Sequence, residues 1–344
     1  FDAWPTVAER LSDAGYETAA FYSNPWLADT TSGLLHGFES RWSTVPENGG
    51  EIVSAVGQWL DERDRSRPFF LFVNLLEAHV PYDPPPEIRA TLGLPQGPVV
   101  ASEWVLDYQA RLHDPRRVRW DGYRQLYAGD VRWADLWFGE LVGRLRGALG
   151  DRGFDEDLAT LVTSDHGELL GEDGLVEHQL VLHDDLLAVP LVVRAPGLTP
   201  ERRDAPVSGV DIAPTLLDLA GVEDSSSEGR SLLDRSTADR SIFAEYSGPP
   251  VPLLDDLERR NPDLERDTME RRWRAVRRGD DRLFVDSLGG ARTILSSSEA
   301  QPQPLHQALR EVFGDVVPPP RDAADPFEID EASRERLRAL GYIP

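Results

Sequence analysis

The chain is 344 residues long, 40% hydrophobic and 28% charged, which is enough apolar material for the packed core of one large domain or of a large domain with a smaller companion. It carries 61 acidic against 36 basic residues, a net charge of -25 that argues against nucleic acid and anionic membranes as partners. Cysteine and lysine are both absent, so disulfides and thiol chemistry are excluded and every basic residue is arginine. An acidic, lysine-free surface suits a protein working in high salt, where carboxylates stay hydrated and their repulsion is screened. No apolar run reaches the length of a membrane-spanning helix.

In chain order, Val7, Leu11 and Ala14 share a helical face, with Gly15 placed to end the helix. Residues 18–24 form a short apolar strand, and Ile52, Val53, Val56, Trp59 and Leu60 mark a second helix. The nearly continuous apolar run 68–76 predicts a strand covered on both faces. A long helix is expected over 122–149, with Leu126, Leu141 and Leu145 inward. Two further buried strands are expected at 158–165 and 189–196, and a helix over 211–221, with Pro214 tolerable only in its first turn. Beyond about 230 the pattern changes. Residues 241–248 read as a strand, and 273–287 as a hairpin turning at Gly279-Asp280-Asp281. The stretch 249–271, rich in Pro, Asp, Glu and Arg, reads as an exposed insertion, 223–229 and 316–326 as loops or tethers, and 331–344 as a charged terminal helix. Alternating strands and helices followed by an antiparallel region predict an α/β domain over 1–230 and a smaller antiparallel subdomain over 231–344.

Two segments carry chemistry. In 161–167, "LVTSDHG", a strand ends in Asp165-His166-Gly167, where an anionic oxygen and a neutral nitrogen can reach one cation. The same triplet also occurs in turns capped by the Asp side chain. In 67–85, a strand delivers His79 into a loop stiffened by Pro81, Pro84 and Pro85, a placement suited to acid/base work or an anion contact, or to a purely structural imidazole.

The stretch 161–197, "LVTSDHGELLGEDGLVEHQLVLHDDLLAVPLVVRAPG", resembles the sulfatase family of the alkaline-phosphatase superfamily. So do "PFFLFVNLLEAHVPYDPP" (68–85), "VSGVDIAPTLLDLAG" (207–221) and "RAVRRGDDRLFVD" (274–286), in the family's order. The resemblance implies an alkaline-phosphatase-like three-layer fold with a largely parallel sheet. It implies Asp165 and His166 as ligands of one divalent cation, calcium before magnesium or manganese, and His178 and His79 as catalytic residues on a sulfate ester, whether a small molecule or a glycan. Asp173 and His183 depart from the family pattern, which has His and Tyr there, and His183 is expected to be a packing residue. Asn24 and His36 fall in matched segments with no role assigned, and His113 and His306 are expected in solvent.

The family's opening metal-binding strand and its nucleophile segment find no counterpart in these residues. Each Pro-x-Arg has the wrong residue two places earlier (His113, Leu198 or Val317), and with no cysteine a Cys-derived formylglycine is not encoded. The chain is therefore expected to carry one half of a sulfatase site. Phosphate or phosphonate ester hydrolysis, and an inactive remnant serving as a binding or structural protein, stand as alternatives. The two-zinc phosphatases of the superfamily need an Asp four residues before a His, and none of the seven histidines has one.

Overall fold

The computed structural model describes residues 5–28, 33–44, 48–94, 97, 99–223, 227–234, 240–296 and 301–318. Helix α1 (Val7–Asp13) starts on a reciprocal cap: Thr6 Oγ1 accepts from Glu9 N at 3.1 Å, and Thr6 N donates to Glu9 Oε2 at 2.7 Å. Its inward residues are Ala8 and Leu11, not the Val7–Ala14 face expected. Gly15, at φ +91°, turns the chain into β1 (Glu17–Tyr22). Strands β2 (Ser40–Ser43) and, after helix α2 (Gly49–Glu62), β3 (Phe69–Val73) flank β1 in parallel, in the order β2-β1-β3.

Side-chain alternation divides this sheet into two faces. Ala19 and Phe21 of β1, with Phe69, Leu71 and Val73 of β3, pack against Ile52, Val56, Trp59 and Leu60 of α2. Ala20 and Tyr22, with Phe72, face Leu27, Leu35 and Phe38 on the other side. Two helices not expected from the pattern follow, α3 (Pro86–Leu92) and α4 (Ser102–Gln109). Helix α5 (Trp120–Glu156) buries Leu126, Leu141 and Leu145 as the spacing predicts, and the last two join the α2 core. Gly150, at φ 72° and ψ 163°, breaks this helix near its end.

Strand β4 (Thr160–Thr163) then leads through the two-stranded β5 (Leu169–Leu170) and β6 (Val176–Glu177) and the single turn α6 (Asp184–Leu187) to β7 (Leu191–Arg194). β7 returns antiparallel to β4. Both strands are half-covered, not buried as expected; Val192 is 60% exposed. The edge of β3 away from β1 and the edge of β4 away from β7 meet no strand among the described residues.

Helix α7 (Ile212–Leu219) carries Pro214 in its first turn. Before it, the fully buried Asp211 accepts from Ser208 N at 2.8 Å and Arg230 N at 2.9 Å and pairs with Arg240. The remaining elements are β8 (Ser241–Tyr246), α8 (Val251–Arg260), α9 (Arg266–Met269), β9 (Trp273–Arg278), β10 (Asp281–Asp286), β11 (Ala291–Ile294) and α10 (Gln303–Phe313). Their strands form an antiparallel sheet in the order β11-β10-β9-β8, with β9 and β10 turning at Gly279-Asp280 as expected. The parallel sheet and this separate antiparallel sheet make the α/β architecture that the sequence anticipates.

One expectation fails for a clear reason. Residues 249–271 are not an exposed insertion: Leu253, Leu254, Leu257, Leu264 and Met269 are buried against Leu106 and Ala110 of the α4 segment. The charges on this stretch lie on the other side. Arg260 meets Asp256, Asp107 and Glu103 at 2.7–2.8 Å, a cross-brace between α8 and α4. The helix expected over 331–344 lies outside the described residues, as does most of the tether 316–326. Among the described residues no helix is long and apolar enough to cross a membrane.

A candidate active site at the ends of β3 and β4

Two strand ends converge on the site. After β3 the chain turns through Glu77, whose buried carboxylate accepts from Gly49 N at 2.6 Å at the start of α2. A charge at the first turn of a helix satisfies an otherwise orphaned donor. A Cβ on Gly49 would overlap Glu77 and Trp137, so the small residue is needed for this closure. Two residues on, His79 Nδ1 lies 2.7 Å from the Val80 carbonyl oxygen. A carbonyl only accepts, so Nδ1 carries the hydrogen and Nε2 holds the lone pair. Burial, followed by repulsion from His178, pushes the His79 imidazolium down to a pKa of about 3, so the ring is neutral at ordinary pH.

At the end of β4, Gly167 N donates to Leu186 O at 2.8 Å, and a Cβ on Gly167 would overlap the Asp185 carbonyl. Only glycine lets the turn sit this close to α6. The turn presents Asp165, 67% exposed, and His166, 36% exposed. Asp165 Oδ1 accepts from His166 N at 3.1 Å, and His166 Nδ1 donates to Gly167 O at 2.8 Å. The outward atoms are thus Asp165 Oδ2 and His166 Nε2, 3.9 Å apart. That separation suits one cation bonded to both at roughly 2.0–2.6 Å, so the residues fit the divalent ion implied by the resemblance.

The hairpin β5–β6 adds the third imidazole. His178 stacks on His166, with ring centroids 3.9 Å apart and planes at 28°, and presents its edge to His79 at 5.6 Å. The four residues singled out from sequence therefore surround one point. Three residues that sequence reasoning did not single out complete it. Glu168 Oε2 lies 3.5 Å from His178 Nδ1. The buried Glu177 accepts from Gln109 Nε2 at 2.9 Å and from Gln179 Nε2 at 3.3 Å. Burial pushes Glu168 up to a pKa of about 8 and Glu177 up to about 7, with His166 and His178 respectively drawing them partly back. Each of His79, Glu177 and His178 offers a ligand atom, all within 4.8 Å of one another.

The two departures from the family pattern touch each other. His183 is buried at the start of α6; its Nε2 lies 3.3 Å from Asp173 Oδ2 and 2.9 Å from Arg292 Nη1 of β11. Arg282 of β10 reaches Asp184 at 3.0 Å. The segment that carries the site is thereby pinned to the antiparallel sheet. Asn24 bonds to Asn74 and Trp26. His113 is not in solvent as expected; it stacks on Trp104 at 5.5 Å. His306 is half-buried, with its Nδ1 2.9 Å from Pro302 O.

Comparison with known proteins agrees with this geometry. Residues 3–222 match the family model described as Sulfatase. The chain is 25% identical, over an alignment of 400 residues spanning all of it and 93% of the relative, to the low-salt glycan biosynthesis sulfotransferase Agl7 of Haloferax volcanii. It is 32% identical over 141 residues to the choline-sulfatase of Rhizobium meliloti, a match covering 41% of this chain and 24% of that longer enzyme. In fold it is similar to the phosphonate monoester hydrolase SpPMH from Silicibacter pomeroyi, with a TM-score of 0.63 at 16% identity over 91% of this chain and 80% of that one.

Proposed function

The chain belongs to the sulfatase family, and from that premise we propose that its site serves the hydrolysis of sulfate monoesters, with one divalent cation held by Asp165 and His166. The observation that carries the reading is the outward pair Asp165 Oδ2 and His166 Nε2, 3.9 Å apart, with His178 stacked alongside. When bound, the cation supplies Lewis-acid polarisation of the sulfuryl oxygens. Calcium is the ion that the family resemblance favours, although an imidazole ligand also suits manganese.

The chain's own residues divide the proton work. His178, with the Glu168 carboxyl 3.5 Å behind its Nδ1, is placed to hold a positive charge and to protonate the departing alkoxide oxygen. His79, neutral and with its lone pair on Nε2, is a proton acceptor and not a donor to the anion. None of these residues is the nucleophile, and the sequence has neither cysteine nor a (Cys/Ser)-x-Pro-x-Arg motif to supply one. The substrate class is a small or glycan-borne sulfate ester, in keeping with relatives named for choline sulfate and for glycan biosynthesis. The likeness of fold to a phosphonate monoester hydrolase makes phosphonate esters the second reading. With a net charge of -25, substrate capture should improve as salt screens the repulsion, and a salt-adapted protein would profit from that.

The test is aryl sulfate hydrolysis at high salt by the protein that contains this chain. Chelation is expected to abolish turnover, and calcium or manganese to restore it. Turnover of an aryl phosphonate without turnover of the sulfate would favour the second reading. No turnover of either with the cation bound would leave an inert fold and overturn both.

A further inference from the structure

We propose that His79, His178 and Glu177 form a second cation site, for a divalent ion of the zinc class, beside the Asp165–His166 pair. It rests on the geometry of three side chains and stands or falls independently of the hydrolytic reading. Their ligand atoms lie within 4.8 Å of one another, close enough for one ion to bind all three. Two imidazoles and one carboxylate, with room for a water, are a zinc-type ligand set. The exposed Asp165–His166 pair offers fewer nitrogens and belongs to the harder cations.

The orientation of each group favours a cation. His79 Nδ1 donates to the Val80 carbonyl at 2.7 Å, so the nitrogen left to face its neighbours carries a lone pair. A lone pair repels a sulfuryl oxygen and attracts a metal ion. The backbone carbonyl behind the opposite nitrogen is the arrangement that fixes the tautomer of a metal-binding histidine. His178 has the equivalent partner in Glu168, 3.5 Å from Nδ1. Both oxygens of Glu177 are steadied by side-chain amides, from Gln109 at 2.9 Å and Gln179 at 3.3 Å, and each keeps a lone pair for a ligand bond. Glu177 is also one of three non-glycine residues at positive φ among those described, at +63°. Such a conformation persists only where its surroundings enforce it, and here it belongs to the residue whose carboxylate enters the cluster. Since His166 stacks on His178 at 3.9 Å, the two cations would be neighbours able to share one anionic ester.

The probe is Co²⁺, added to the chelator-treated full chain in excess Ca²⁺ so that oxygen-rich sites are already filled. The expected result is one Co²⁺ per chain with the intense visible absorption of a four-coordinate ion, displaced by Zn²⁺. Glu177→Gln and His178→Gln should remove that absorption, and Asp165→Asn should leave it. Because a ligand variant can disturb the fold, Gln109→Ala is the second measurement: it removes only the outer partner and should weaken Co²⁺ binding roughly 10–100-fold with an unchanged melt. A spectrum with no such absorption, or one lost with Asp165→Asn and kept with Glu177→Gln, overturns the proposal. So does Co²⁺ affinity unchanged in Gln109→Ala.

Discussion

Asp165→Ala is expected to lower kcat/KM for an aryl sulfate by about 10³-fold or more, and to remove the response of the activity to added cation. The magnitude follows from what is lost. A Lewis acid on the sulfuryl oxygens contributes several kcal/mol of transition-state stabilisation, and each 1.36 kcal/mol is about tenfold in rate. Asp165 supplies the anionic half of a pair whose other half, His166, is neutral in its ligand form; without the carboxylate the remaining nitrogen binds the ion poorly. The side chain is 67% exposed and carries no core packing, so the fold should be nearly unaffected, within about 0.5 kcal/mol. Steady-state kinetics beside a thermal melt separate the two effects. Unchanged, cation-responsive activity would refute the role given to Asp165.

Gly167→Ala should damage the same function through the backbone. A methyl group there overlaps the Asp185 carbonyl and lies 3.2 Å from Leu186 Cα, both main-chain atoms of α6 that cannot swing aside. Either the turn withdraws, losing the 2.8 Å bond from Gly167 N to Leu186 O, or α6 shifts with His183 and its contacts. Overpacking of this kind costs about 1–3 kcal/mol, and the broken backbone bond adds to it. The expected outcome is a clear fall in melting temperature together with weaker cation binding, because Asp165 and His166 move with the turn. A variant with wild-type melting temperature and wild-type cation affinity would show that the close approach is dispensable.

Much of this arrangement was legible from the sequence, and the exceptions share a cause. Apolar runs and helical spacing located β1, α2, β3, α5, β4, β7 and the β9–β10 hairpin because their signals are local. Helix α8 escaped because the Pro, Asp, Glu and Arg of its segment dominated the reading, while Leu253, Leu254 and Leu257 already had the spacing of a buried face. At the site, Asp165, His166, His178 and His79 stood out because few side chains do their chemistry. Glu168 and Glu177 did not, since a carboxylate beside apolar residues reads as surface until the fold shows it buried. Signals were present in "HGELL" and "LVEHQL", where each glutamate sits between a site histidine and apolar neighbours. The contact of Asp173 and His183 with Arg292 joins segments more than 100 residues apart, and no local pattern encodes it.

The outer edge of β3 has a consequence that hydrogen exchange can read. Asn74 N donates to Phe21 O, and Pro68 O accepts from Glu17 N, so the even-numbered peptide groups of β3 point toward β1. By alternation the amides of Leu71 and Val73 point toward the edge where no described strand lies. In deuterated buffer, neighbouring amides of a single strand should therefore part company, Phe70 and Phe72 exchanging slowly while Leu71 and Val73 exchange fast. A strand from any source that docked along this edge would turn that alternating record into uniform protection, with no change in side-chain chemistry.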